Sequence, residues 1–439
     1  MIKISRSITL LQRYLIKSLS IPDVVSREIT HGKTSLPKLV VSYPFTYHNN
    51  SGKSADDIYI QIIGTDPVTG LQCYIQYDSQ GAPTYVDAKA GLIGTDYSYP
   101  LSSFAVSPDG SGYTINLPKL NGGRVYTSID GKMPSMVSWA PGIQQYLIVP
   151  NLSTALVMDK SEFTINSGDL YINPTAVEDF SLPISVEETA KDGKSQKGGI
   201  STVSREKIFS QMSLELAKAG EPWGVLMSKI PPIIHSPVNA AQIGLFPQNY
   251  FQTSGFLDAF EKVFSKTPLL VNAGESFPNT GVFKGIYNAE TAEMTLTGSF
   301  QGESTSVILK IPNTTSDILN GNGISWNILP SDPKEVQALK AALARNISTA
   351  IETNTLTTLE ALDKVYFIKN QKNFYKESPE MEKIGGPQFI DHYSKVLHGI
   401  TRDIYTYGYD DEAGQSGGCT LAPKDFKSGA ITLGPLKET

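Results

Sequence analysis

Cysteine occurs only twice in this chain of 439 residues, at Cys73 and Cys419. Two thiols make no disulfide framework, so stability must come from the size of the core, and one bridge between them is the most the sequence allows. The five histidines, His31, His48, His235, His392 and His398, show no paired metal spacing, which argues against a zinc site. No G-x-S-x-G stretch is present, so acyl transfer from a nucleophile elbow lacks support. Charged residues make up only 18% of the chain, and the net charge of −6 includes no basic stripe. That argues against nucleic acid as a partner. No apolar run approaches the ~18 residues that a membrane span needs. The stretch "SGKS" at 51–54 has the tail of a phosphate loop, but Tyr47 stands where the first glycine belongs and no helical pattern follows; it reads as a turn.

What the chain does hold is glycine, proline and tyrosine, 37, 27 and 21 of them, the composition of a strand-rich protein. Its 40% hydrophobic content supplies one large core or two ordinary ones. The opening "MIKISRSITLLQRYLIKSLSIP" has an early lysine like a signal peptide, but Arg13 and Lys17 interrupt its apolar run, and it reads as an amphipathic helix. From Lys38 to Pro150, stretches such as "DIYIQIIG", "LQCYIQYD" and "QQYLIVP" alternate apolar residues between turn signals, predicting a barrel or sandwich. The polar stretch "ETAKDGKSQKGGISTVS" reads as a long surface loop.

Beyond it the period becomes helical. "SREKIFSQMSLELAKAG" sets Ile208, Met212 and Leu216 on one face, with Ser204 as N-cap and Gly220 as stop. "SGFLDAFEKVFSK" and "DPKEVQALKAALARNISTAI" predict further helices, the latter with Asp332 as cap and Pro333 in the first turn. Strands return between them at "GIYNAETAEMTLTGSF" and "SVILKIP". The second half is therefore mixed α and β. Trp139, Trp223 and Trp326 read as core.

Carboxylates remain as the chemistry-bearing groups, and they concentrate in "EFTINSGDLYINPTAVEDFSLPI", residues 162–184. Period-two alternation puts Glu162, Thr164 and Asn166 on one face, with Phe163 and Ile165 on the other. After the turn "NSGD", the next strand sets Tyr171, Asn173 and Thr175 opposite Leu170, Ile172 and Pro174. Acids, hydroxyls, amides and an aromatic ring on one sheet floor are what a sugar polymer needs. The plain alternative is an ordinary hairpin with one solvated face.

This run resembles the core of glycoside hydrolase family 64, the endo-β-1,3-glucanases related to thaumatin-like proteins. Further landmarks follow in order to the C-terminus: "RVYTSIDGKMP", "IIHSPVNA", "NYFQTSGFLDAFEKVF", "AALARNISTAIETNTL" and "YTYGYDDEAGQSGGCTL". The resemblance implies a mostly β protein: a thaumatin-like barrel or sandwich, a mixed α/β domain and a wide groove between them. On that reading residues 1–36 are an N-terminal extension, 37–203 the β domain, 204–400 the α/β domain, and 401–439 return to the β domain. It also implies an inverting mechanism with one acid and one base and no metal or organic cofactor. The chain would act as a monomer, secreted though without a clear signal sequence, or else cytoplasmic.

Carried over by position, Glu162 is the general acid, Thr164, Asn166, Tyr171 and Thr175 contact sugar, and Asp410 and Asp411 line the groove. The second acid departs from the family pattern. Aligned without a gap, "VEDFSLP" puts Glu178 where the family has aspartate, whereas strict alternation favours Asp179; a one-residue bulge near Pro174 would turn Glu178 inward. An altered second acid also leaves room for a protein that binds β-1,3-glucan without cutting it.

Overall fold

The computed structural model describes residues 40–438 except 151–155, 231, 275, 278 and 416; the expected N-terminal helix lies outside them. The alternating stretches of the first half form two sheets. In the smaller, the strand order is Ser195–Gly199, Ile184–Ala190, Phe426–Leu433, Ser42–Asn49 and Tyr113–Pro118. The larger has eight strands: seven run from Cys419–Leu421 through Leu170–Pro174, Val157–Ile165, Asn121–Ile129 and Ile58–Thr65 to Gln72–Tyr77 and Pro83–Asp87, and Ser98–Pro100 pairs with Ile58–Thr65 off that path. Apolar positions two apart, such as Ile58, Ile60 and Ile62, or Phe163 and Ile165, meet Phe45, Ile115, Val186 and Ile431 in one shared core, as sandwich packing requires. Both cysteines are buried there as free thiols.

The last strand, Phe426–Leu433, lies inside its sheet, parallel to Ser42–Asn49 and antiparallel to Ile184–Ala190. The polar stretch expected to be a long loop is instead largely a hairpin. Ile184–Ala190 pairs with Ser195–Gly199, turning at the positive-φ Gly193. The second of these is an edge strand with Ser195, Gln196 and Lys197 exposed; edges favour polar residues, so it carries no apolar alternation.

A second core gathers the helices. Arg205–Ala219 opens on Ser204, whose Oγ accepts from the Lys207 amide, and ends at Gly220 with φ 76°. Ile208, Met212 and Leu216 form its buried stripe. Phe256–Phe264 buries Phe256, Phe260, Val263 and Phe264. Lys334–Glu352 packs on a four-stranded antiparallel sheet at Leu269–Asn272 and Glu303–Lys310. Asp332 does not cap that helix as expected. Its carboxylate instead accepts from Lys340 Nζ at 2.8 Å and the Leu329 amide at 3.1 Å, because Pro333 occupies the capping position. Trp223 and Trp326 are buried in this core, whereas Trp139, on the ribbon Ser135–Ala140/Gln145–Pro150, is 48% exposed.

Candidate active site

The acid-bearing hairpin is Val157–Ile165 paired antiparallel with Leu170–Pro174, in the register Glu162 to Asn173 and Thr164 to Tyr171. Ser161, Phe163 and Ile165 are buried beneath it, and Lys160, Glu162 and Thr164 share the opposite face. On the other side Glu162 lies across from Arg124. Arg124, Glu162 and Asn173 therefore form one row across three strands.

Above this floor is a cleft of about 440 Å³. The β side contributes Arg124, Lys160, Glu162, Tyr171, Asn173, Thr175, Val177 and Glu178. From the α/β side come Val238, Leu319, Asn320, Asn322 and Arg345, and the segment before Cys419 adds Tyr405, Gly408, Tyr409 and Asp411. The cleft thus lies between the two cores.

Each acid of the cleft floor has its own cation. Arg124 Nε donates to Glu162 Oε1 at 3.0 Å, and Lys160 Nζ donates to Glu178 Oε2 at 2.7 Å. The Lys160 ammonium holds the Glu178 carboxyl down at about 2, against the opposing effect of burial, with Arg124 adding to it. Burial alone would lower Lys160, but Glu178 and its neighbours hold its pKa above the ordinary lysine range.

Glu178 reaches the cleft because the strand ends. After Pro174 only an isolated bridge from Thr175 to Tyr405 continues the pairing, and the chain then joins a three-stranded sheet through Asp179–Phe180. Alternation is lost at the break, so Val177 and Glu178, adjacent in sequence, both face the cleft. The register of the hairpin itself shows no shift; an interrupted strand stands where a bulge was expected. Asp179 lies outside the cleft lining but lines a small adjoining cavity with Lys160 and Glu178. Its Oδ1 is 2.5 Å from His235 Nδ1 and accepts from Asn239 Nδ2 at 2.8 Å.

The remaining expected residues separate into two groups. Tyr171, Thr175 and Asp411 line the cleft. The Tyr171 hydroxyl donates to Tyr405 at 3.1 Å and accepts from Asn173 Nδ2 at 3.0 Å, and burial raises its pKa. Burial likewise raises Asp411. Thr164, Asn166 and Asp410 do not line the cleft. Thr164 Oγ1 accepts from the Gly122 amide, and Asn166 Oδ1 holds the amides of Gly168 and Asp169 in the turn. Asp410 is fully buried, bonded to His398 Nε2 at 3.1 Å and to Thr406 Oγ1 at 2.9 Å.

Lys160, Arg345, Tyr405 and Tyr409 were not among the expected residues, and Asn173 was expected only as part of the polar floor. Lys160 was within reach of the sequence, two positions before Glu162 on the same face. Arg345 comes from a helix remote in sequence; its guanidinium lies 5.0 Å from the Tyr409 ring centre. Asn173 Oδ1 and Arg345 Nε are buried without hydrogen-bond partners, ready acceptor and donor for hydroxyl groups entering the cleft. Among the described residues no cluster of three or more His, Cys, Asp or Glu is arranged for a metal ion, and no helix is long and apolar enough to cross a membrane.

The family model of glycoside hydrolase family 64, described as Beta-1,3-glucanase, matches residues 42–427. A glucan endo-1,3-beta-glucosidase of Cellulosimicrobium cellulans is 30% identical over 193 residues, which are 43% of this chain and 32% of that protein. The chain thus spans about a third of that relative's length. A laminaripentaose-producing β-1,3-glucanase in complex with laminaritetraose has a TM-score of 0.68 at 20% identity, over 90% of this chain and 99% of that one. A β-1,3-glucanase domain from Clostridium beijerinckii gives 0.63 at 19%, over 90% and 98%. At these identities the two structures share the fold with this chain.

Proposed function

Since the chain belongs to the β-1,3-glucanases of glycoside hydrolase family 64, we propose that it hydrolyses β-1,3-glucan in the cleft between its two cores. The observation that carries this reading is that Glu162 and Glu178 both line that cleft; the sequence resemblance assigns the family's two acids to these positions. The resemblance implies an inverting enzyme, a class that holds its two carboxyls ~6.5–9.5 Å apart to seat a water.

In this mechanism Glu162 donates its proton to the glycosidic oxygen as the bond to the anomeric carbon breaks. Glu178 takes a proton from the water that attacks the same carbon from the opposite face. The product is inverted, and an open cleft allows internal cuts that release short laminari-oligosaccharides. Tyr171 stacks on a sugar ring, while Asn173, Thr175, Arg345 and Asp411 bind hydroxyls. Asp410 is left to hold the segment that carries Tyr405 and Asp411. Thr164 and Asn166 lie at the outer end of the same strand face, where a longer glucan would reach them. The reading carries with it a thaumatin-like ancestry for the β domain, action as a monomer, and an extracellular place of work, since the substrate is a polymer.

One observation favours a second reading, a glucan-binding protein without catalysis. A carboxylate held at about 2 by Lys160 is a weak proton acceptor. Reducing-sugar release from laminarin and curdlan separates the two, run for wild type, Glu162→Gln, Glu178→Gln and Asp179→Asn beside a curdlan pull-down. Hydrolysis is expected from wild type and Asp179→Asn and lost by at least a hundredfold (~10²) in the two glutamate variants. Curdlan binding with no release of reducing ends by wild type would establish the binding protein instead.

A further inference from the structure

The antiparallel ribbon Ser135–Ala140/Gln145–Pro150 carries an aromatic pair that the cleft does not use. Trp139 is directly opposite Tyr146, with ring centres 5.0 Å apart and planes at 64°. Of the three tryptophans, Trp223 and Trp326 are buried, and only Trp139 opens to solvent. The edge-to-face contact with Tyr146 fixes the indole while leaving a face free.

Two features say what would cover it. Residues 135–150, "SMVSWAPGIQQYLIVP", contain no charged side chain, so the surface suits a neutral ligand better than a phosphate or a charged peptide. The ribbon is also rooted beside the catalytic floor. Ile148, buried two residues along from Tyr146, lines with Pro150 a small cavity that also contains Arg124, Lys160 and Glu178, all three of which belong to the cleft. The base of the ribbon therefore adjoins the Glu178 end of the cleft.

The geometry points to Trp139 and Tyr146 as a distal stacking platform for a β-1,3-glucan chain, beyond the subsites where bonds are cut. Indole and phenol rings stack on the apolar faces of glucosyl units, and the exposed Gln144 in the connecting turn supplies an amide. The platform retains polymer but contributes nothing to a substrate too short to reach it. This inference rests on the proposed hydrolase reading.

Trp139→Ala is compared with wild type and with Met136→Ala, a change at another exposed apolar residue of the ribbon. The measurements are curdlan depletion, retardation in laminarin gels, and turnover of both curdlan and laminaritetraose. Trp139→Ala is expected to weaken retention and curdlan turnover by about three- to tenfold while laminaritetraose turnover stays unchanged; Met136→Ala behaves as wild type. A second measurement needs no ribbon variant: in Glu162→Gln protein, saturating laminarin should shield the exposed indole from acrylamide quenching. Wild-type retention in Trp139→Ala, or no shielding, overturns the platform while the hydrolase reading stands. If wild type neither binds nor cuts glucan, both readings fall. A dimer that dissociates in Trp139→Ala with glucan retention intact assigns the face to a second copy and overturns the platform.

Discussion

At the scale of single residues, the site is governed by which cation each acid meets. Glu178 is ionised over the whole working range because Lys160 sits 2.7 Å from it. Removing that ammonium leaves burial, which raises a carboxyl, opposed only by Arg124. In Lys160→Met the acid limb of kcat/KM, which reports the base of the free enzyme, should therefore move upward from about pH 2 into or above the ordinary glutamate range. Activity below pH 5 should be lost first and activity at neutral pH least. A pH–rate profile superimposable on wild type would mean that Lys160 does not tune the base. The sequence displayed Glu162 and its face plainly, since alternation needs only local residues. Its partner Arg124 lies 38 positions away, a separation that periodicity does not encode.

Elements bear on what residues alone left open, the choice between Glu178 and Asp179. Counting alternation onward from Tyr171 assumes an unbroken strand, but the strand stops at Pro174 and the chain changes sheets. Asp179 then becomes a fastening of the new sheet, bound to His235 and Asn239, and Glu178 faces the cleft. Asp179→Asn should accordingly lower stability by about 1–3 kcal/mol through the lost charge-assisted bonds with kcat changed little, whereas Glu178→Gln should abolish turnover and also lower Tm, since it leaves the Lys160 ammonium buried without its partner. Thermal melts paired with laminarin assays check this, and a stable but inactive Asp179→Asn would reverse the assignment. Helices were easier to read. Ser204, the Ile208–Met212–Leu216 stripe and Gly220 all act within one element, so local chemistry sufficed. Asp332 misled because Pro333 takes the capping position and Lys340, inside the helix, draws its carboxylate.

At the scale of the whole molecule, the closing strand Phe426–Leu433 is inserted between Ile184–Ala190 and Ser42–Asn49, so the sandwich is completed only by residues from both ends of the described chain. No local pattern announces such pairing, which is why the sequence suggested strands without their order. The insertion also encloses Glu188. This residue lies across from Gly429, is fully buried, and has neither carboxylate oxygen hydrogen-bonded. Burial pushes its pKa up to about 8, so it is neutral in the fold at neutral pH and would be ionised if the chain unfolded. A folded-state pKa raised above the unfolded value gives stability that is full below about 4.5 and lost as pH climbs through about 8. Asp159, raised by burial to about 6, adds a slope of the same sign at lower pH, so the comparison belongs above it. Between pH 6.5 and 9 the Tm of wild type should fall more steeply than that of Glu188→Gln, whose amide has no charge to bury. Parallel slopes for the two proteins would show that Glu188 ionises in the fold without cost, and the closing strand would then have to admit water to reach it.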